Sequence, residues 1–213
     1  MTADVARHGA IRQGAIRQNN EALILAAAER VFARAGFDGA TVAAIADEAG
    51  LPKTNLHDYF GSKQALYQAV PARTLHDWLL ALDRLTPDAD PAEALAGYIR
   101  SKMLMGVQRP AASRVFANEL LHGAAVVGAL MRGELRDTVR RKAAVIDGWI
   151  AAGRMAQVDS THLFFTIWAA TQTYADFEVQ VRAVLGRDQL GPTDHQRATE
   201  HVVSLLLRGC GLG

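Results

Sequence analysis

One stretch of the sequence, TVAAIADEAGLPKTNLHDYF at positions 41–60, constrains the fold more than any other. Thr41 has a side chain suited to cap a helix N-terminus, and Gly50 stands where helices commonly end in a residue with positive φ. Between them, apolar residues recur at the spacing of one helix face, namely Val42, Ile45, Ala46 and Ala49. The pattern therefore predicts a short amphipathic helix between Thr41 and Gly50.

The second half of the stretch predicts another short helix. Pro52 suits its first turn, and Leu56 and Phe60 lie four residues apart on its inner face. Two short helices joined by a turn containing glycine form the DNA-binding helix-turn-helix, whose second helix lies in the major groove. The alternative is a helical hairpin buried in an ordinary α-domain.

Several polar side chains of this region have the chemistry of DNA contacts. Lys53 and Lys63 each begin a helix, where an ammonium group and free backbone amides together attract phosphate. Thr41 plays the same part for the preceding helix. The outward positions of the second helix offer candidates for base edges, namely Thr54, Asn55 and His57.

With the helix before it and the segment FGSKQALYQAV after it, this stretch resembles the N-terminal domain of TetR-type regulators over about residues 18–78. The resemblance implies an all-α homodimeric transcription factor, usually a repressor that a small molecule releases from its operator. It also implies that His57, Asp58 and Tyr59 occupy positions that usually hold backbone-contacting aromatic or His residues. Tyr59 conforms, whereas the Asp58 carboxylate either repels phosphates or accepts from a cytosine amine.

Charge and composition limit the remaining functions. The net charge is +1, and residues 1–63 carry as many acidic as basic side chains, so geometry rather than bulk charge supports DNA binding. The chain lacks an apolar run of membrane-spanning length, and its one cysteine, Cys210, fits a reducing cytoplasm. Motifs of enzymes, phosphate loops and metal sites are absent, so we predict no catalysis, cofactor or metal.

The predicted organisation has three parts: an arm at 1–18, a helix-turn-helix domain at 19–78, and a ligand-binding and dimerisation domain at 79–213. The arm contains three arginines and a tandem GAIRQ repeat, and we expect it to be flexible. It either reaches a minor groove or has no role. The first helix should run from Asn19 or Asn20 to Ala35, with Gly36 stopping it.

The rest of the chain reads as helices throughout. Ser62 caps a helix in which Pro71 should produce a kink or a break, and thus either a hinge or a simple boundary. Asp90 caps the next helix, with Pro91 at its first position. The later helices are predicted at about 91–107, 110–122, 125–152 with a break at Gly133, 159–185 and 194–209.

The two last helices, at about 159–185 and 194–209, carry more apolar surface than a single core-facing stripe needs. We therefore predict that they form a homodimer interface. The segments PAASRVFANELLHGA and IWAATQTYADFEVQV resemble the pyrimidine-responsive, RutR-type subgroup of TetR regulators. This likeness implies a repressor that senses uracil or a close relative such as thymine.

A small planar ligand requires aromatic walls and a few placed polar groups. An amide such as Gln172 or Asn118 offers a donor and an acceptor together, which matches the edge of a pyrimidine dione. The full candidate set for the pocket is Trp78, Tyr98, Phe116, Asn118, Glu119, His122, Trp168, Gln172 and Tyr174. The alternative function is a small-molecule-binding or protein-interaction protein that no longer uses its helix-turn-helix on DNA, an interpretation favoured by Asp58 and the neutral first domain.

Overall fold

The computed structural model describes the backbone from Thr2 to Gly213 and the side chains from Gly14 onward, and Met1 lies outside it. All regular secondary structure in this part of the chain is helical, as predicted. The first helices are α1 (Thr2–Gly39), α2 (Val42–Ala49), α3 (Lys53–Phe60) and α4 (Lys63–Leu80). After a 3₁₀ turn (Ala81–Arg84) follow α5 (Pro91–Gln108), α6 (Pro110–Leu121), α7 (Gly128–Leu130), a π turn (Met131–Leu135), α8 (Arg136–Ala151), α9 (Ser160–Asp176), α10 (Glu178–Leu185) and α11 (Pro192–Gly209).

The chain divides into two compact units, and the division falls directly after Pro71. The sequence analysis placed it after residue 78. Leu75, Trp78 and Leu79 explain the difference, because their side chains pack into the core of the C-terminal unit. The second half of α4 therefore belongs to that unit.

The N-terminal unit has a small core of apolar side chains that α1, α2, α3 and the first half of α4 supply. Its fully buried members include Ile24, Ala28, Val31, Phe32, Ile45, Leu56, Leu66 and Val70. Phe32 and Phe37 each lie 5.0 Å from the Tyr67 ring, measured between ring centroids, in edge-to-face contact. Gly36, with φ 68° and ψ −178°, interrupts the helical geometry of α1 where a stop was predicted.

The start of α1 differs from the prediction. The backbone is helical from Thr2 onward, where a flexible arm was expected at residues 1–18. The arm contains no proline, and its Ala, Arg and Gln residues are good helix formers, so α1 extends through it. The side chains of residues 2–13 lie outside the described part, and the flexibility of the arm in solution stays a prediction.

Pro71 does not end α4, which continues from Lys63 to Leu80, so the predicted break or helix boundary is wrong. A proline removes one backbone hydrogen bond but leaves the others of the helix in place. Packing on both sides of the residue supports the helix, since Leu66 and Leu75 are both buried. The residue marks the boundary between the units instead.

In the C-terminal unit, α5 is the central helix and packs against α6, α9 and α11. Large side chains fill the core, among them Tyr98, Ile99, Ile146, Trp149, Phe164 and Ile167. Asp90 caps α5 as predicted, since its Oδ1 accepts a hydrogen bond of 2.9 Å from the Glu93 amide. None of the helices in the described residues is both long and apolar enough to cross a membrane.

Two long helices of the prediction differ from the structure. The one expected at 125–152 begins at Gly128, and instead of breaking at Gly133 it widens into a π turn over Met131–Leu135 and continues as α8. The one expected at 159–185 stops at Asp176 and restarts as α10, because Phe177 has non-helical dihedrals of φ −115° and ψ 32°. The Asp176 carboxylate at this junction accepts a 2.5 Å hydrogen bond from Ser113 Oγ of α6.

Candidate nucleic-acid interface and ligand pocket

Local chemistry builds the α2–turn–α3 motif. Thr41 Oγ1 accepts a hydrogen bond of 3.1 Å from the Ala44 amide at the start of α2. Gly50 adopts the left-handed conformation, with φ 66° and ψ 29°, at its end. Leu56 of α3 is buried in the N-terminal unit, so the orientation of α3 about its own axis is fixed. The structure thus has the predicted arrangement of two short helices around a glycine turn.

The opposite side of α3 faces outward. Lys53, Thr54, His57 and Asp58 are exposed, and Asn55 is half-buried. The His57 ring donates through Nδ1 to the Gly61 carbonyl oxygen at 3.0 Å. This surface offers a cation, a hydroxyl, an amide and an imidazole to a nucleic acid, together with one carboxylate.

Tyr59 is placed by α1. Its hydroxyl accepts a 3.3 Å hydrogen bond from Asn20 Nδ2, and the Arg17 guanidinium lies 5.1 Å from its ring centroid. Arg17 is exposed, so the same cation is available to a phosphate. The sequence analysis missed this contact because nothing in the local pattern relates residues 17 and 20 to residue 59.

Lys63 has a different position from the one expected for a phosphate ligand. Its ammonium donates to the carbonyl oxygens of Phe37 at 2.8 Å and Ala40 at 3.0 Å. It also lies 4.4 Å from the Phe37 ring centroid. Two of its three N–H donors are therefore used within the N-terminal unit, and Lys63 first of all fastens α4 to the end of α1. Sequence alone could not reveal this, because Phe37 and Ala40 lie 26 and 23 residues before Lys63, and tertiary packing brings them together.

Two arginines of α1 bond to a carboxylate of α2. Glu48 accepts hydrogen bonds of 2.7 Å from Arg34 and 2.6 Å from Arg30. These bonds hold the pKa of the Glu48 carboxyl below its usual range. Arg30 and Arg34 thus stabilise the motif through Glu48.

The C-terminal unit contains a small pocket with a cavity volume of about 80 Å³. Its walls are almost wholly apolar. The lining side chains come from α4, α5, α6, α9 and the segments around residues 82 and 131–135, and they are Leu75, Trp78, Leu79, Leu82, Tyr98, Lys102, Phe116, Leu120, Met131, Leu135, Trp168 and Gln172.

Five of the nine predicted ligand residues line this pocket, namely Trp78, Tyr98, Phe116, Trp168 and Gln172. Trp78 and Phe116 meet edge to face with their centroids 4.8 Å apart. The Trp168 indole donates a 2.7 Å hydrogen bond to the Tyr98 hydroxyl, which fixes both rings. Trp168 and Gln172 lie four apart on α9 and so present one face to the cavity.

The other four predicted residues lie elsewhere. Asn118 and His122 are exposed, and the His122 ring bonds to the Asn118 carbonyl at 2.7 Å. Glu119 is buried, but its Oε1 accepts from the Val126 amide at 2.5 Å and so holds the loop after α6. These three side chains do not line the pocket, although Phe116 and Leu120 of α6 do. Tyr174 lines a separate groove beside α10 and α11.

Sequence reasoning missed Lys102, which is only 4% exposed although it is a lysine. Its Nζ lies 3.4 Å from the Trp78 ring centroid, in a cation–π contact. Burial lowers the pKa of Lys102 to about 7, and the charge of Asp176 opposes that shift. Its spacing of four from Tyr98 on a helix that is otherwise apolar on this face was the available signal.

Each of the two units matches a known protein family. Residues 24–70 match the model for bacterial regulatory proteins of the tetR family, and residues 72–213 match that of the YcdC-like protein C-terminal region. The chain is 40% identical to the HTH-type transcriptional regulator RutR of Escherichia coli K12 over 186 residues, which cover 87% of this chain and 88% of that protein. RutR of Shigella flexneri matches to the same extent.

Solved structures show the same fold at low identity. A TetR-like transcriptional regulator from Rhodococcus sp. RHA1 superposes with a TM-score of 0.62 at 23% identity, over 89% of this chain and 94% of that one. The ketosteroid transcriptional regulator KstR2 of Mycobacterium tuberculosis superposes with a TM-score of 0.65 at 18% identity, over 90% and 94%.

Proposed function

This chain belongs to the tetR family of bacterial regulatory proteins and is a RutR-type transcriptional regulator, and from that premise we propose that it is a cytoplasmic homodimeric repressor. In this proposal a small molecule bound in the C-terminal unit releases it from a palindromic operator. The observation that carries the proposal is the pairing, in one chain, of an outward-facing α3 with an aromatic pocket in a separate unit.

On the DNA side, α3 supplies the base-reading groups. Asn55 is the best candidate for a specific contact, because an amide pairs with adenine through two hydrogen bonds. Thr54 and His57 flank it, while Lys53, Tyr59 and the N-termini of α2 and α4 hold phosphates. A twofold dimer requires two half-sites whose centres lie about one helical turn, or a small multiple of it, apart.

On the ligand side, we propose a pyrimidine base such as uracil or thymine, on the resemblance of residues 167–181 to the pyrimidine-responsive subgroup. A flat ring can stack on Trp78, Phe116 or Trp168, and the Gln172 amide can pair with its alternating donor and acceptor edge. The ligand lowers operator affinity only by binding more tightly to a conformation that fits the operator less well.

Helix α4 is the proposed link between the two events. It contributes Trp78 to the pocket, and its first residue, Lys63, holds the end of α1. A ligand that moves Trp78 therefore acts on the same helix that carries the DNA-binding unit's anchor. Pro71, which lacks one helical hydrogen bond, lies between these two residues and is the proposed hinge.

The test is a mobility-shift titration on the DNA upstream of the protein's own gene, without and with uracil or thymine, accompanied by calorimetric titration of both bases. We expect a protein–DNA complex of reduced mobility, and we expect either base to dissociate it. A set of unrelated hydrophobic effectors is titrated in parallel. If one of those effectors binds and neither pyrimidine does, the proposed ligand is rejected and the repressor function still stands. If no DNA is retarded, the repressor function is rejected.

Asp58 favours a second candidate, an interaction protein that no longer uses its helix-turn-helix on DNA. The residue is exposed on the α3 surface that would face phosphates. Asp58→Asn separates the two functions. For a repressor, the substitution changes DNA affinity, upward if the carboxylate repels phosphate and downward on the operator if it reads cytosine. An interaction protein shows no DNA binding with either side chain.

A further inference from the structure

Hydrogen-bond donors outnumber acceptors among the polar groups that line the pocket. Among the twelve lining residues of the described chain, Lys102 is the one charged side chain, and no carboxylate lines the cavity. Tyr98 lies four residues earlier on α5, and both side chains are almost completely buried. The two therefore present their polar ends from one face of one helix.

Neither donor has an acceptor. The Tyr98 oxygen accepts a 2.7 Å hydrogen bond from the Trp168 indole, so its own O–H group is available to donate. In the part of the chain that the structure describes, Lys102 Nζ contacts the Trp78 ring and forms no ion pair. It is not among the fully buried atoms that lack a hydrogen-bond partner, so it keeps access to the cavity, where a ligand oxygen would accept from it.

The nearest charge does not fill this need. Asp176 at the end of α9 acts on Lys102 through space, but its carboxylate is held by Ser113 Oγ and is influenced by Arg114, both of α6. Burial raises the pKa of Asp176. Burial also raises the pKa of Tyr98, so its hydroxyl stays a donor.

We propose that the pocket selects a planar ligand bearing an anionic oxygen, a carboxylate in its simplest form, which accepts hydrogen bonds from Lys102 and Tyr98. This inference rests on the proposed function for the location of the effector, and it makes an acid, such as a pyrimidine carboxylate, the preferred ligand over a neutral base. Lys102 is then a specificity-determining residue, because an uncharged ring gains less from a buried ammonium than an anion does. The aromatic side chains stack on the ring of the ligand, and Lys102 and Tyr98 of α5 determine the preference for an acid over a neutral ring.

Proton linkage follows from the same arrangement. An anion beside Lys102 favours its charged form, so binding above neutral pH, where the free amine is largely uncharged, takes up a proton. The affinity for an acid should therefore fall by up to about tenfold for each pH unit above 7. A neutral ligand that only stacks should bind with little change over the same range.

The experiment is calorimetric titration of the full-length protein with matched acid and neutral probes: uracil-6-carboxylate (orotate) against uracil, and benzoate against benzamide. We expect each acid to bind at least ~10-fold more tightly than its neutral partner at pH 7. At pH 8, orotate binding in buffers of different ionisation enthalpy should show proton uptake. Lys102→Met should abolish both the preference and the uptake, and Tyr98→Phe should reduce the preference severalfold.

Lys102→Met should fold, because exchanging a buried charge for an apolar side chain of similar length is neutral or stabilising, and a melting curve checks this. Equal binding of acid and neutral probes by the wild-type protein, or an unchanged preference in Lys102→Met, would overturn the inference. Operator release is measured separately. Release by uracil with no preference for acids would leave the proposed function in place, whereas acid binding without any DNA binding would contradict the proposed function alone.

Discussion

The Lys63 ammonium donates a 3.0 Å hydrogen bond to the Ala40 carbonyl oxygen and thereby ties the first residue of α4 to the segment between α1 and α2. A second bond, to the Phe37 carbonyl, completes the clamp. The helix-turn-helix lies between the two joined segments in the sequence. Its orientation within the N-terminal unit therefore depends on this lysine as well as on the buried Leu56.

Lys63→Met should lower the free energy of unfolding of the N-terminal unit by about 1–3 kcal/mol, since two carbonyls lose a charged donor. Lys53→Met is the matched control: Lys53 is exposed at the start of α3, and its loss should change stability by less than ~0.5 kcal/mol. Urea denaturation followed by circular dichroism measures both. Equal stability of the two variants would mean that Lys63 is free to act mainly on phosphate.

Asn55→Ala should weaken binding to the operator by about 1–3 kcal/mol and barely change binding to random DNA, because an amide that pairs with a base carries sequence information. Lys53→Ala should instead weaken binding to both and reduce the slope of log affinity against log salt by about one. Fluorescence anisotropy on both DNAs at several salt concentrations makes the comparison. The same loss on operator and random DNA in Asn55→Ala would assign that residue to the backbone.

Glu48 should make the N-terminal unit sensitive to acid. Hydrogen bonds from Arg34 and Arg30 lower its folded-state pKa, so the ion pair stabilises the fold above the ordinary carboxyl pKa. This contribution is lost as the pH falls through the lowered value. Glu48→Gln should therefore destabilise the protein at pH 7, and its difference from wild type should shrink below about pH 4.

Thermal melts between pH 3 and pH 7 follow that difference, with Glu21→Gln as the control, since Glu21 is an exposed carboxylate of α1. The control should stay close to wild type at every pH. A Glu48→Gln difference that is constant with pH would show that the ion pair is not linked to folding.

Sequence patterns predicted those parts of the fold that short-range chemistry determines. The caps at Thr41, Ser62 and Asp90 were confirmed, since each side chain accepts from the backbone amide three residues on. The glycine at position 50 was confirmed as well. Each of these features depends on a few consecutive residues, so a single sequence contains the information.

What the sequence could not predict depends on contacts between distant residues. The interruption of the predicted 159–185 helix lies beside a hydrogen bond between Ser113 and Asp176, which are 63 residues apart. Lys102 was not among the predicted pocket residues, and its place in the pocket follows from how α5 is rotated against α9. The rotation of α6 about its own axis decides in the same way that Phe116 lines the cavity and Glu119, three residues later, does not.

The last prediction concerns the proposed dimer, which was assigned to the helices at about 159–185 and 194–209. In the structure, Leu205 of α11 is 61% exposed, whereas Leu206 packs against the core of its own subunit. Leu205→Glu therefore tests the interface without disturbing the fold. An unpaired carboxylate in an apolar interface is unfavourable, and we expect the dimer dissociation constant to rise ~100-fold or more.

Leu206→Glu is the contrasting variant and should lower the melting temperature of the subunit itself, because it introduces a charge beside the core. Sedimentation velocity over a range of concentrations, together with thermal melts, separates the two effects. A dimer that survives Leu205→Glu, with unchanged melting, would place the interface on another surface. A wild-type protein that sediments as a stable monomer would reject the dimer and, with it, an operator made of two half-sites, because one recognition helix can contact only one of them.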